Sequence, residues 1–596
     1  MLALKSNLEG FITMNKQKKY FLPVLLLGNL LCMMDTSIMT IILPKLQSAF
    51  NESLTSLSWA LNIYTIFFAA LIIPFGGLAE RIGRNKFVFG SLIVFGIGSL
   101  LSGLASDLKW MLLARAIQSI GAAGIIPTSM VIGLEHSTQA NRNKIVAALA
   151  GVQGLAVALG PAIGGVIAEF WGWRWVFLIN LPLVALDLLL FFRAFSLKHE
   201  LTNKTAIDWL GAVLSMTMLF CLSLGLIQGN KWGWQSLPII LLLGGAALLL
   251  IGFLFWEKSQ KNPMIDLTLF KSRNFNGASL ALVLCNYFLG GMAVLIPTFL
   301  TRVQGESELK AALLITPYSL AVMFSVIATS LVIKRINNKL LISLGFLTIA
   351  LSYYLLGNLK VTDNYHQLII ADIILGIGYG LVAATANILA VADFHGSKLT
   401  ASQSVANVLR QVGMVLAIAI FTAALSANIS TAKKHTFNYA KQQIQILHFS
   451  SKQKNLLTAK IKKRLAPNNT QLEQNGQQFK TVRPQISKTA QQKLVKQAYQ
   501  QQLELFSQKN KLLPTKIPKI VKVQIKQTVE KNVKSAIRQQ EQHFKQQLAQ
   551  LIHRIKTKLK QQLTAAFLNI YSTMFWGALL ALLIVPIFKF EHQKEL

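Results

Sequence analysis

The chain has 596 residues, 53% of them hydrophobic and 14% charged, and a formal net charge of +36 at pH 7. A soluble domain carries roughly a quarter charged residues, so neither an ordinary cytosolic enzyme nor a largely disordered chain fits. The apolar residues come in runs of about 20, the length a helix rising about 1.5 Å per residue needs to cross roughly 30 Å of hydrocarbon.

Fourteen such runs lie near 20–44, 57–78, 87–105, 110–133, 145–170, 175–192, 209–226, 237–255, 278–300, 311–332, 340–356, 368–391, 405–425 and 565–587. They predict an all-α polytopic membrane protein. Run 1 follows Lys16, Lys18 and Lys19 and contains Asp35; it is longer than the apolar stretch of a cleaved signal peptide and is read as a span. Cys32, Cys221 and Cys285 all fall inside apolar runs, where they read as small core residues and not as a disulfide framework.

Short-loop cations set the orientation. Beyond the lysines before run 1 they cluster after runs 2 (Arg81, Arg84, Lys86), 4 (Arg142, Lys144), 6 (Arg193, Lys198, Lys204), 8 (Lys258, Lys261, Lys271, Arg273) and 10 (Lys334, Arg335, Lys339). The loops after runs 1 and 3 carry fewer, such as Lys45 and Lys109. Both termini are therefore predicted to be cytoplasmic, in a plasma membrane.

The two ends of the chain echo each other. Ser37 to Pro44 ends run 1, and Gly290 to Pro297 sits 253 positions later in run 9; Ser119-Ile120-Gly121 aligns with Gly376-Ile377-Gly378 at an offset of 257. Glu80-Arg81-Ile82 has a worn counterpart in Lys334-Arg335-Ile336. Parallel six-helix repeats place a transporter's cavity between halves near the midplane. The domain reading is a six-helix half at 1–195, two linking helices with cytoplasmic loops at 196–275, a second six-helix half at 276–427 with 564–596, and an insert at 428–563.

An ionisable residue inside a span costs several kcal/mol unless paired or hydrated, and is a functional candidate by default. Asp35 lies nine residues before Pro44, about 14 Å below the outer end of its helix. Arg115 lies five residues into run 4, in the same outer half. Burial disfavours an ionised carboxylate and a nearby guanidinium favours it, so such a pair either relays a proton or is a static ion pair that fixes packing. Asp187 and Arg410, near the middles of runs 6 and 13, form a possible second site. Asp187 is open to three readings: a second titrating group, a contact for a cationic substrate, or a structural acid. Asp372, near the outer end of run 12, reads as interfacial and solvated.

Gly76 to Lys86 (GGLAERIGRNK) is a sharp cytoplasmic turn in which Glu80, Arg81 and Arg84 offer opposed charges, and Gly76 and Gly83 permit close approach. In run 5, Gly160-Pro161 with Gly164-Gly165 removes a backbone donor and lets helices touch.

These segments resemble the Major Facilitator Superfamily, in its 14-helix drug:proton antiporter branch of multidrug efflux type. Met34-Asp35-Thr36 through Leu43-Pro44 resembles the first-helix motif, whose acid the family uses in proton coupling. Gly76 to Lys86 resembles the gating loop, with Glu80 for the usual Asp and Asn85 where a basic residue is common. Leu113 to Gly121, with Ser119 for glycine, resembles the fourth-helix motif carrying the proton-transfer arginine, here Arg115. Gly160, Pro161, Gly164 and Gly165 resemble the antiporter signature, with Ala156 where glycine is frequent. Trp173 to Pro182 and Asp208-Trp209-Leu210-Gly211 look like marks of the 14-helix branch. The resemblance implies two six-helix repeats plus two extra central helices.

Residues 428–563 hold 28 Lys and Arg against 4 Glu, a net +24. Long loops escape the positive-inside bias, so this Lys/Gln-rich insert is predicted to be extracellular, divided by Pro467, Pro484, Pro514 and Pro518 into helical stretches. Val529, Val533, Ile537, Phe544, Leu548, Leu551, Ile555, Leu559 and Leu563 follow a helical period, which could extend run 14 into a stalk paired with run 13. Its basic surface could meet anionic lipid or cell-wall polymer, or it could be a solvated loop without a partner; nucleic acid is not expected on this face.

The expected function is proton-coupled export of lipophilic or amphiphilic small molecules by alternating access, with no catalytic residue, cofactor or metal. No phosphate loop or cluster of metal ligands is found in the sequence, and the proton gradient is the energy source. The alternatives are a lipid or metabolite exporter on the same scaffold, or a membrane-anchored scaffold acting through the insert.

Overall fold

The structure is a computed structural model. It describes residues 2–588 apart from 53, 138–141, 199, 201, 203–207, 261–262, 264, 334, 361–363, 395–396, 448–450, 466–487 and 511–515. The side chains of 2–19 and of some helical positions, among them Pro44, Arg142 and Pro161, lie outside the described residues; so do Lys204, Lys261, Lys334, Pro467, Pro484 and Pro514.

The first half of the chain forms α1 (Leu2–Phe50), α2 (Leu54–Ile82), α3 (Arg84–Gly103), α4 (Leu108–Glu135), α5 (Arg142–Phe170), α6 (Trp173–Leu178) and α7 (Asn180–Ala194). Next come α8 (Trp209–Trp232) and α9 (Leu237–Ser259), then α10 (Arg273–Thr298), α11 (Glu308–Val332), α12 (Asn338–Gly357), α13 (His366–Ala392) and α14 (Ser397–Ile446). The chain closes with α15 (Ser451–Arg464), α16 (Lys488–Lys509) and α17 (Lys519–Leu580). Among the described residues thirteen segments are long and apolar enough to cross a membrane. Run 5 corresponds to α5, where described and undescribed side chains alternate.

Several helices start where a short polar side chain satisfies an orphan amide. Asp107 accepts from Trp110 N at 3.0 Å, Ser272 from Phe275 N at 3.2 Å, Ser307 from Lys310 N at 3.2 Å, and Asn337 from Lys339 N at 2.9 Å. Asp208 caps α8 through Gly211 N at 2.8 Å and also accepts from Trp256 Nε1 of α9 at 2.9 Å. One carboxylate therefore both starts α8 and ties the extra helix pair together.

Run 6 is one span, Trp173–Ala194, in which α6 and α7 are separated by the single residue Ile179, whose backbone stays helical and whose N–H still donates to Trp175 O at 3.0 Å. Pro182 has no N–H to offer the carbonyl of Leu178 four residues earlier. The preceding carbonyl, of Phe177, accepts from Ser99 Oγ at 3.0 Å.

In the N-terminal half α3 and α2 pack on α4, and α1 packs on α5; in the C-terminal half α10, α11 and α12 pack on α13. The halves meet where α5 lies against α11. Two compact units result, Met1–Leu425 with Phe567–Leu596, and Ser426–Ala566. The second unit has its own apolar core, in which Phe544, Leu548 and Leu551 of the predicted stripe meet Ala440, Ile444, Leu457 and Ile461.

Candidate functional site

Asp35 on α1 and Arg115 on α4 are both buried, at 3% and 0% exposure. Arg115 Nη1 donates to Asp35 Oδ2 and to Gln118 Oε1 at 2.7 Å. Gln118 Nε2 donates to Asp35 Oδ1 at 2.8 Å and to Ser99 Oγ at 3.1 Å. Both carboxylate oxygens are thus engaged, one by a cation and one by an amide. The guanidinium also donates from Nε to the Ala60 carbonyl at 3.3 Å and lies 4.5 Å from the centre of the Tyr64 ring. Gln118 is a member of this network that the sequence reading left out of the site. Its signal was available, since it lies three residues after Arg115 and therefore on the same helix face.

The glycines of run 5 bring α5 onto α1. A Cβ on Gly160 would fall 1.8 Å from Ser37 Oγ, and one on Gly164 would fall 2.7 Å from Ile38 Cγ2. Ser37 Oγ in turn donates to Ala156 O at 3.3 Å, so the segment beside Asp35 has no room for a side chain on its neighbour. Gly165 is half-buried.

At the loop between α2 and α3, Arg84 pairs with Glu80 at 3.0 Å and with Glu135 at the end of α4 at 2.5 Å. Gly83 has φ +106°, and a Cβ there would meet the carboxyl of Glu200 at 2.7 Å. That carboxyl accepts from Asn85 N at 2.8 Å and Lys86 N at 3.1 Å, capping the start of α3. Asn85 fits the loop because its side chain donates to Ser196 O at 3.2 Å. Arg81 is exposed and has no ion pair among the described residues. Gly76 of α2 faces α14, where a Cβ would lie 2.6 Å from Ser404 Oγ.

Asp187 and Arg410 make no hydrogen bond or ion pair with each other among the described residues. Asp187 is fully buried in the N-terminal half, near Gly28, and neither of its oxygens has a hydrogen-bond partner among the described residues. Arg410 donates to Gln153 Oε1 at 2.9 Å and to Asn387 Oδ1 at 2.5 Å. The expectation for Asp372 is also corrected. It is fully buried, with both oxygens unpartnered among the described residues. It falls on the packed stripe of α13 with Leu368, Ala371, Leu375 and Gly376, facing helices and not the interface.

A cavity of about 100 Å³ lies between the halves, lined from the N-terminal side by Met33 and Gln153. From the other side it is lined by Asn286, Leu289, Tyr318, Val322, Val326, Tyr379, Ala383, Asn387, Arg410, Gln411 and Met414. Asp35 lies two residues beyond Met33 on the same helix but does not line it.

The family model described as Major Facilitator Superfamily matches this chain twice, over residues 25–208 and 202–418. The chain belongs to the Major Facilitator Superfamily. The two matched stretches of this transporter family meet just before α8, and neither extends into the insert. Multidrug resistance protein 3 of Bacillus subtilis is 28% identical over 418 residues, 70% of this chain and 81% of that protein. Fatty acid resistance protein FarB of Neisseria gonorrhoeae is 28% identical over 417 residues, 68% and 79% of the two chains. The methylenomycin A resistance protein of Bacillus subtilis is 29% identical over 407 residues, 67% and 86% respectively. The cavity between halves is where a superfamily transporter binds its cargo.

Proposed function

We propose that this protein is a proton-coupled exporter of lipophilic or amphiphilic small molecules, with Asp35 as proton carrier and Arg115 and Gln118 as the groups that hold its charged form. The observation that carries the reading is a membrane-buried carboxylate with both oxygens bonded to one helix, two residues from a side chain that lines the inter-half cavity. Protonating Asp35 removes the charge that Arg115 faces and converts one acceptor oxygen to a donor, which loosens α1 from α4. Because α5 is locked to α1 at Gly160 and Gly164, movement of α1 carries Gln153 with it. The Glu80–Arg84–Glu135 cluster is the proposed cytoplasmic latch.

One proton entering down about 100 mV supplies roughly 2.3 kcal/mol, enough for a gradient of about 50-fold. The drug-resistance names of the relatives support export as the direction. The moving halves in this proposal are 1–195 and 276–427 with 564–596, joined by 196–275, in a plasma membrane with both termini cytoplasmic and 428–563 on the outer side.

The test is export from proteoliposomes under an imposed pH gradient, with a panel of amphiphilic compounds. Asp35→Asn is expected to abolish uphill export while the protein remains in the membrane; full uphill export by that variant removes Asp35 from the mechanism. Lipid export on the same scaffold is favoured by one observation, the fatty acid resistance named for a relative. The scaffold reading separates on deletion of 430–560: export that survives the deletion assigns the work to the helices. Unchanged export together with lost binding to anionic lipid or wall polymer assigns the binding role to the insert.

A further inference from the structure

We propose that Arg410 is the counter-ion for a negatively charged group on the cargo, so that the exported molecules are amphiphilic monoanions. The inference rests on the export reading above and narrows its substrate class.

Arg410 is half-buried in the wall of the inter-half cavity. Its bonds go to the side-chain oxygens of two neutral amides, Gln153 and Asn387, and no carboxylate pairs with it among the described residues. Arg115 is the contrast, because Asp35 balances its charge. No lining residue of the cavity is acidic. A guanidinium taken from water and held only by neutral dipoles recovers part of its lost solvation. Charges within the membrane that face a cavity mark the pathway of a ligand.

A guanidinium carries five N–H donors in a planar fork, and the two amides occupy two of them. The remainder suit a carboxylate, sulfonate or phosphate oxygen. Beside this head site the wall is apolar, with Met33, Leu289, Val322, Val326 and Met414 available to a hydrocarbon tail. A cationic cargo would meet an unbalanced positive charge there. Asp187, for which a contact with a cationic substrate is one of three readings, is fully buried and does not line the cavity.

The experiment uses the full chain in lipid nanodiscs and three probes that share a twelve-carbon chain: dodecanoate, dodecanol and dodecyltrimethylammonium. Radiolabelled probe bound per protein is measured above empty nanodiscs. Dodecanoate is expected to bind about tenfold tighter than dodecanol, the scale of one charge-assisted hydrogen bond, and tighter still than the cation. Arg410→Gln is expected to bring the carboxylate-to-alcohol ratio near one, and Arg410→Lys to keep part of it. Equal binding of acid and alcohol by the unaltered protein, preference for the cation, or a ratio that survives Arg410→Gln overturns the inference. The same probes are then tested for uphill export in proteoliposomes. Export of the cation but not of dodecanoate overturns this inference and leaves the export reading intact. Arg410-dependent binding of dodecanoate without export of any probe upholds the anion site and sinks the export reading.

Discussion

Arg410 donates to Gln153 across the boundary between the two halves, and the residues are 257 positions apart. That is the offset that aligns Ser119-Ile120-Gly121 with Gly376-Ile377-Gly378. The repeat-related positions of α5 and α14 therefore touch each other, one as a neutral amide and one as a cation. Gln153 is also fixed from behind, donating to Asn29 Oδ1 at 2.9 Å while Asn29 Nδ2 donates to Leu25 O at 2.8 Å. A hydrogen-bonded chain thus runs from α1 through α5 to α14 and on to Asn387 of α13.

Cutting that chain at its centre has a definite expected cost. Gln153→Leu keeps a similar volume but leaves Arg410 without one acceptor and Asn29 without a donor, which costs about 1–3 kcal/mol for a buried unsatisfied group. The variant is expected to melt at lower temperature than the parent in detergent. An unchanged melting temperature would show that the bond contributes nothing to holding the halves together in this conformation.

Gln118 is expected to matter less than Asp35 but more than a packing residue. Gln118→Leu removes the donor to Asp35 Oδ1 and an acceptor of Arg115, while the Arg115–Asp35 pair itself survives. Loss of one hydrogen bond to a charged group is worth about 1.5–3 kcal/mol, so the export rate should fall about tenfold or more. Gln118→Glu is the discriminating companion. It preserves size and the acceptor to Arg115 but sets a second carboxyl against Asp35. Parent-like rates in both variants would confine proton handling to Asp35 and Arg115.

Gly76 and Ser404 offer a direct check on movement between the halves. A Cβ at Gly76 would lie 3.6 Å from the Cβ of Ser404, within the roughly 3.5–4.5 Å of a disulfide. In a background with Cys32, Cys221 and Cys285 replaced, the pair Gly76→Cys and Ser404→Cys is expected to cross-link under mild oxidation. Export should stop, and return on reduction. Cross-linked protein that transports at the parent rate would show that α2 and α14 need not separate there.

The helices were legible in the sequence because their signal is length times hydropathy, which bilayer thickness enforces on each span separately. The Asp35–Arg115 pairing was legible for a related reason, since two costly charges at one depth have few other ways to be satisfied. The environment of Asp372 was not. Its distance from the end of α13 pointed to the interface, whereas burial depends on which face of the helix it occupies, and α11 and α12 cover that face. The tie of α3 to the span over 173–194 was not legible either, because it runs through the hydroxyl of Ser99 to the carbonyl of Phe177, 78 positions away. Glu200 escaped for the same reason as the Ser99 contact. It caps α3 from more than a hundred residues away, and nothing in its neighbourhood in the sequence marks it.

The contact between Ser37 and Gly160 yields a prediction with its own rescue. Gly160→Ala places a methyl 1.8 Å from Ser37 Oγ and 3.0 Å from its Cβ, distances that force α1 and α5 apart or twist the serine out of its bonds to Met34 O and Ala156 O. Overpacking of this kind costs about 1–3 kcal/mol, and export should drop by about tenfold or more because α5 no longer follows α1. Ser37→Gly removes both colliding atoms at a helix-propensity cost of about 0.5 kcal/mol, the difference between serine and glycine. The double variant Ser37→Gly with Gly160→Ala should therefore export faster than Gly160→Ala alone, even though each change by itself is unfavourable. Additive losses in the double variant would show that the glycine serves backbone flexibility in α5 and not the fit against Ser37.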